Sequence, residues 1–172
     1  MALLPELINN YNVYNKGSQW VGVTGDVELP SLEALTETME GAGMLGEVDV
    51  PAVGHFSSGQ LTVPFVTVNH QVFDAINFAE ALELQIRASK QSANKATAGT
   101  DFTPTRVVVR GLGHTVEPGH FTKGKAMETS VEIEYTYIKI EDEGKTVLEL
   151  DKLNNVFVVN GVDQLAKIRS QI

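Results

Sequence analysis

The sequence predicts a mainly β protein: a β-barrel or sandwich of long antiparallel strands with one flanking helix, a short C-terminal helix and extended arms. Three observations carry this reading. Leu82, Leu84, Ile86 and Ala88 alternate with Glu83, Gln85, Arg87 and Ser89, the period of two expected of a half-buried strand. Runs rich in Val, Ile, Thr and Tyr recur along the chain, separated by Gly, Pro and Asx turn signals. Residues 127–141 read as a single strand, far beyond the usual ~5–6 residues. A strand that long projects as a hairpin or pairs across a subunit boundary.

Taken in order, residues 1–18 read as an N-terminal arm. Pro5, the Asn9, Asn10, Asn12 and Asn15 series and Lys16-Gly17-Ser18 favour turns. Leu3, Leu4, Leu7, Ile8, Tyr11, Val13 and Tyr14 make the arm apolar enough to dock on its own chain or a neighbour's. Residues 20–29 are β-rich and stop at Pro30, and 32–40 read as strand on Thr36 and Thr38. Residues 41–59 read as a Gly-rich loop closed by Ser57-Ser58-Gly59. Residues 60–69 form a further strand, in which Pro64 marks an edge or bulge. Val72, Phe73, Ile76 and Ala79 fall at helical spacing, so 72–79 is the internal helix.

The 82–89 strand leads into a polar loop over 92–103, then a strand over 106–116 and a turn at Pro118-Gly119. In 127–141, Val131, Ile133, Tyr135 and Tyr137 share one face, and Asp142-Glu143-Gly144 turns the chain into a strand over 145–150. Residues 154–159 are strand, and 162–172 close the chain as a short helix with Leu165 and Ile168 inward. Residues 1–172 form a single domain without internal repeats.

Charge is unevenly distributed. No basic residue lies between Lys16 and Arg87, a stretch that holds ten acids: Asp26, Glu28, Glu33, Glu37, Glu40, Glu47, Asp49, Asp74, Glu80 and Glu83. With a net charge of -9, a groove that tracks a phosphate backbone is not expected. The acidic half is either a solvated face or a wall past which a polyanion slides without sticking. There is no cysteine, which excludes disulfides and thiolate chemistry. No apolar run approaches the roughly 20 residues of a membrane span, so no membrane insertion is expected. The opening MALLPELINN lacks the positive and long apolar regions of a signal peptide, which points to the cytoplasm of the producing cell.

Motifs of reaction chemistry are weak. Gly41-Ala42-Gly43-Met44-Leu45-Gly46 matches a dinucleotide fingerprint letter for letter, but strand-forming, acidic Glu47-Val48-Asp49-Val50 follows instead of a helix. A loop whose glycines allow close packing against a neighbour fits better. His114 and His120 flank a turn without a clear third metal ligand, and Asp142-Glu143 sits on a solvated hairpin tip. No catalytic residue, cofactor site or metal site is assigned, and no enzymatic activity is expected.

Several segments, in order, resemble one family. They are Glu40-Gly41-Ala42-Gly43-Met44-Leu45-Gly46, Val107-Val108-Val109-Arg110-Gly111, and a series from Lys123-Gly124-Lys125 through Tyr135-Thr136-Tyr137-Ile138-Lys139. The series continues through Gly144 and Leu150-Asp151 to Asn160-Gly161-Val162-Asp163-Gln164-Leu165. The opening Met1-Ala2-Leu3-Leu4-Pro5, Trp20 and Leu29-Pro30-Ser31-Leu32 also fit. Together they resemble the major tail tube protein of contractile-tailed bacteriophages and of the tail-like bacteriocins derived from them.

The resemblance implies β-barrel subunits that form hexameric rings stacked into a hollow tube. It also implies a sheath protein outside, a tape-measure protein in the lumen, followed by DNA in a phage and by none in a bacteriocin-like particle, and baseplate and tail terminator proteins at the ends. Assembly would take place in the bacterial host cytoplasm. In that setting 41–59 becomes an inter-ring loop, and Leu3, Leu4, Tyr11, Tyr14, Gly41, Gly43, Met44 and Gly46 become inter-subunit contacts that order on meeting neighbours. Glu33, Glu37, Glu40 and Glu83 become the candidates for a negatively charged lumen. A tube subunit of a secretion or injection system shares the architecture, and a monomeric barrel binding a small apolar ligand is the alternative of a different class.

Overall fold

The computed structural model describes residues 3–75, 77, 79–94 and 99–172. In chain order the elements are β1 (Leu3–Asn15), β2 (Ser18–Trp20), β3 (Ala34–Met39), β4 (Val48–Phe56), β5 (Gln60–Phe65), α1 (His70–Asp74), β6 (Leu82–Asn94), β7 (Thr100–Glu117), β8 (Thr129–Asp142), β9 (Lys145–Asp151), β10 (Val156–Val159), β11 (Val162–Asp163) and α2 (Ala166–Arg169). One antiparallel sheet runs β11-β10-β9-β8-β7-β6-β1-β2, with β5 added on β8, and β3-β4 form a separate hairpin.

β8 organises the sheet. One side pairs with β7 along most of its length. The other side pairs with β5 over Thr129 to Glu134 and with β9 over Tyr137 to Asp142. The changeover at Tyr135-Thr136 is bridged by Tyr135 N donating to Gly59 O and Lys152 N donating to Thr136 O. The far edge of β5 is met by the segment following β2. Thr24 N donates to Pro64 O, Val66 N to Gly22 O, and Glu28 and Thr62 exchange both backbone bonds. The sheet thereby curls back on itself around one core, whose largest members include Tyr135, Phe65, Leu61, Leu84, Ile133, Ile138 and Leu150.

Trp20 meets Phe65 with ring centroids 5.5 Å apart, which ties β2 to β5 inside this curl. α1 rests on the core through Val72 and Ala75, and the Asn69 side chain caps it by accepting from Val72 N. Gln71 and Asn69 bond the backbone of Gln19 and Val21, so α1 is held to β2. Two-residue turns at Lys16-Gly17, Glu143-Gly144 and Asn160-Gly161 have positive φ at both positions, the turn geometry that matches strand twist.

The alternating strand at 82–89, the long strand near 127–141 and the 142–144 turn stand as expected, with β8 two residues further along. Other expectations need correction. Residues 1–18 are not an irregular arm: β1 spans 13 residues along β6 and turns into β2. Pairing overrides the turn preference of the asparagines, and register shifts between Pro5 and Leu7 and between Ile8 and Asn10 absorb the residues that fit poorly.

The 41–59 loop is a true loop only up to Val48, where β4 begins. The expected strand over 20–29 gives way to an irregular segment because Gly22 and Gly25 take positive φ. The 92–103 loop shrinks as β6 and β7 extend towards one another; residues 95–98 lie outside the described residues. The 72–79 helix is the five-residue α1, Ile76 lies outside the described residues, and the 162–172 helix reduces to β11 and the four-residue α2. Leu165 is buried as expected, but Ile168 is exposed.

Gly113 shows why sequence identity matters at this site. A Cβ built there would lie 1.8 Å from Ala75 O at the C-terminal end of α1. Gly113→Ala is expected to push α1 off β7 and cost about 1–3 kcal/mol, read as roughly 2–4 °C of Tm per kcal/mol. An unchanged melting curve would refute this packing.

The β6–β7–β8 region also carries an acid sensitivity. Lys90 Nζ bonds both oxygens of Asp142 at 2.5 and 2.6 Å, and this pairing, with Thr105, holds the Asp142 carboxyl below its usual range. Lys139 and Arg106 do the same for Glu141. Since both folded pKa values are depressed, their stabilisation is complete above the unfolded values near pH 4 and is lost as pH falls through the folded ones. Denaturant midpoints from pH 7 to 2 should fall below about pH 4, and the fall should be shallower in Asp142→Asn.

Candidate assembly interface

Among the described residues the histidines and acids do not gather into a reactive constellation. His114 shares its Nδ1 with Gln60 and Thr115, and His120 lies 4.0 Å from Glu128 across an exposed turn. Among the described residues no three His, Asp or Glu side chains gather as a metal site. The Gly41–Gly46 segment joins two strands, so the dinucleotide reading lacks the helix N-terminus it needs. At the β8 changeover Lys152 Nζ sits 3.7 Å above the Tyr135 ring and donates to Ser57 O. Burial pushes the Tyr135 hydroxyl pKa up and the Lys152 pKa down, and the cluster fastens the stem of the β3–β4 hairpin.

That hairpin is the most conspicuous surface feature. Its base is anchored: Phe56 meets Phe157 edge-on at 4.9 Å, and Gly54 leaves room for Leu165. Above the base it pairs with no other strand. Register places Glu37 opposite Val50 and Met39 opposite Val48, so Leu35, Met39, Val48 and Val50 share a face with Glu37, and all are exposed. Thr38 and Asp49 occupy the other face, joined by a 2.8 Å hydrogen bond. At the tip, Met44 N donates to Gly41 O, and Leu45 is fully exposed. Gly41, Gly43 and Gly46 have no atom of the chain near the position of a Cβ, and Gly43 and Gly46 take positive φ. An isolated two-stranded hairpin is at best marginal in water, so this apolar face calls for a partner.

A second unpaired surface is the outer edge of β1. β2 covers it only at Val13 to Asn15, and Leu4, Leu7 and Ile8 are exposed beyond that point. Leu3 pairs with Asn94 at the same end. The two tyrosines read as contacts are engaged within the chain: Tyr11 donates to Gly25 O at 2.7 Å, and Arg87 stacks 4.6 Å above the Tyr14 ring. Of the acids, Glu33, Glu37 and Glu40 are exposed and make no ion pair among the described residues, whereas Glu83 is bonded to Arg110 at 2.8 Å. Sequence reasoning gave Leu45 and the Lys123–Lys125 pair no contact role and passed over Phe121. An aromatic residue in a Gly- and Lys-rich turn carries no periodicity, yet its 91% exposure makes it a surface feature.

A curled β-sheet carrying an uncovered apolar hairpin and an open strand edge is the architecture of a structural subunit made for association. The chain belongs to the phage tail tube protein FII family, whose model matches residues 5–172. It is 25% identical to the tail tube protein of Escherichia phage P2, over 98% of this chain and 98% of that one. It is also 25% identical to the major tail tube protein of Serratia phage KSP20, over 92% and 90% of the two chains. A chain in the cryo-EM structure of the anti-feeding prophage baseplate, six-fold symmetrised, shares the fold at a TM-score of 0.52 and 10% identity, covering 78% of this chain and 93% of that one. The relatives are structural tube proteins, not enzymes, and the protein is a tail tube protein of the contractile-tail class.

The hairpin tip is expected to serve association and not folding. Replacing residues 40–47 by a two-residue Asn-Gly turn between Met39 and Val48 should leave stability within about 0.5 kcal/mol and abolish tube formation. Thermal melting and negative-stain microscopy read the two effects separately. Normal tubes from the shortened chain would refute the assignment.

Proposed function

We propose that this chain is the repeating subunit of the inner tube of a contractile tail, assembled in the host cytoplasm as six-membered rings that stack into a conduit with a negatively charged bore. A sheath surrounds the tube, and a tape-measure protein and then DNA occupy the lumen. The observation that carries the acidic bore is the absence of compensation. Of the ten acids between Lys16 and Arg87, Glu80 pairs with Lys16 and Glu83 with Arg110; the other eight make no ion pair among the described residues. Glu33 and Glu37, on the stem of the hairpin, are the leading candidates for the bore, followed by Glu40. Glu83 is weaker because Arg110 offsets its charge.

The physical advantage is low friction. A wall without cations gives phosphates no counter-charge against which to release ions, so non-specific affinity stays low. Repetition in every subunit turns one carboxylate into a ring of them. Glu37→Lys should give tubes of normal length with slowed DNA ejection, measured by dye release from particles or by infection kinetics. If Glu37→Lys instead blocks tube formation, Glu37 belongs to a subunit contact and not to the bore, as its place among Leu35, Met39, Val48 and Val50 would allow.

A further inference from the structure

The β7–β8 connection is the chain's other uncovered apolar projection, and its charge is opposite to that of the hairpin. It is fastened at its base, where His120 N donates to Met127 O, Met127 N to Val66 O and Thr129 Oγ1 to Pro118 O. Its outer turn carries Phe121, Lys123 and Lys125, all exposed. Neither lysine has an acidic partner among the described residues. The hairpin tip presents Met44 and Leu45 with Glu40 and Glu47, which line a shallow cleft with Gly41, Met44 and Gly46.

The two projections do not meet within one chain, since the side chains of Leu45 and Phe121 are both left open to solvent. They also lie at separate levels. The β7–β8 connection closes the sheet beside Phe65 and Thr129, whereas the hairpin leaves from Gly59 and Tyr135, six residues or roughly 20 Å further along β8.

We propose that the hairpin tip of one copy docks on the 118–128 connection of the next. Phe121 would pack against Met44 and Leu45, while Lys123 and Lys125 would meet Glu40 and Glu47, which takes Glu40 out of the bore and leaves Glu33 and Glu37 there. This inference rests on the tube reading above and adds the identity of the two surfaces that join successive subunits along the tube. The contact is heterologous: each copy offers a different surface to either neighbour, so between stacked rings, where no rotation brings the chain of copies back on itself, repetition propagates along the tube. One tip is smaller than a standard stable interface. Its strength comes from repetition around a ring, where binding of one subunit raises the effective concentration of the others. Rings should therefore form before tubes.

The chain has no cysteine, so cross-linking gives an unambiguous test. Tubes are assembled from an equal mixture of Leu45→Cys and Phe121→Cys chains, oxidised and digested. A peptide joining positions 45 and 121, in yields well above those of either variant alone, supports the contact. Normal tubes without that peptide overturn it and leave the tube reading intact; a wild-type chain that never forms tubes overturns both.

Charge reversal supplies an independent measurement. Glu40→Lys/Glu47→Lys and Lys123→Glu/Lys125→Glu should each stop growth at short stacks or single rings, with unchanged circular dichroism. The quadruple variant, in which both signs are exchanged, should recover at least half of the wild-type tube length. A quadruple variant as defective as its parents, or doubles that grow like wild type, would overturn the pairing.

Discussion

The changeover on β8 is the constraint on which the rest of the structure depends. A strand of 14 residues has more backbone than β5 can pair on its outer side, so β9 takes over the second half. Backbone groups at the junction must find partners or remain exposed. Gly59 and Lys152 supply them, and the aromatic ring of Tyr135 fills the gap beneath. This junction is where the chain can depart from the sheet without leaving these backbone groups stranded. The β3–β4 hairpin leaves there, with Phe56, Phe157, Gly54 and Leu165 closing its base. The most exposed apolar element is thus rooted where the backbone is paired, although the buried Tyr135 hydroxyl has no hydrogen-bond partner among the described residues.

The closure of the sheet follows similar logic. β5 contains Pro64, which cannot donate to a ladder, and its outer neighbour is an irregular segment that needs few donors. Gly22 and Gly25 let that segment bend so that only selected bonds are made. Regular pairing on one side of β5 and selective pairing on the other leave an end that α1 covers. The barrel reading and the sheet found here therefore describe one arrangement with an imperfect seam.

Much of the fold was legible because its signals are local. Alternation in 82–89 requires no partner to be recognised, and Glu143-Gly144 has the chemistry of a tight turn. The first 18 residues were misread for a corresponding reason. Asparagine-rich sequence favours turns in isolation, and only the presence of β6 makes a strand the better solution. The same limit applies to 48–56, which looks like loop until β3 is set beside it. At the candidate interface, charge sign was readable but compensation was not. Glu83 and Glu37 look alike in sequence, yet Arg110 reaches one from 27 positions away and nothing described reaches the other. The family resemblance was legible from an ordered set of modest motifs, and the family model matches residues 5–172.

The open edge of β1 has a consequence for the protein before assembly. A subunit of this kind accumulates in many copies, and an uncovered strand with exposed Leu4, Leu7 and Ile8 is a template for indiscriminate strand addition. The two register shifts in β1 break the flatness that a fibril needs, and Pro5 removes a donor from the row. An incoming strand with regular spacing finds its bonds out of phase, while a neighbour whose own shape answers those irregularities finds them in place. The irregular edge thereby works as a solubility device, keeping newly made subunits apart until the correct surface arrives.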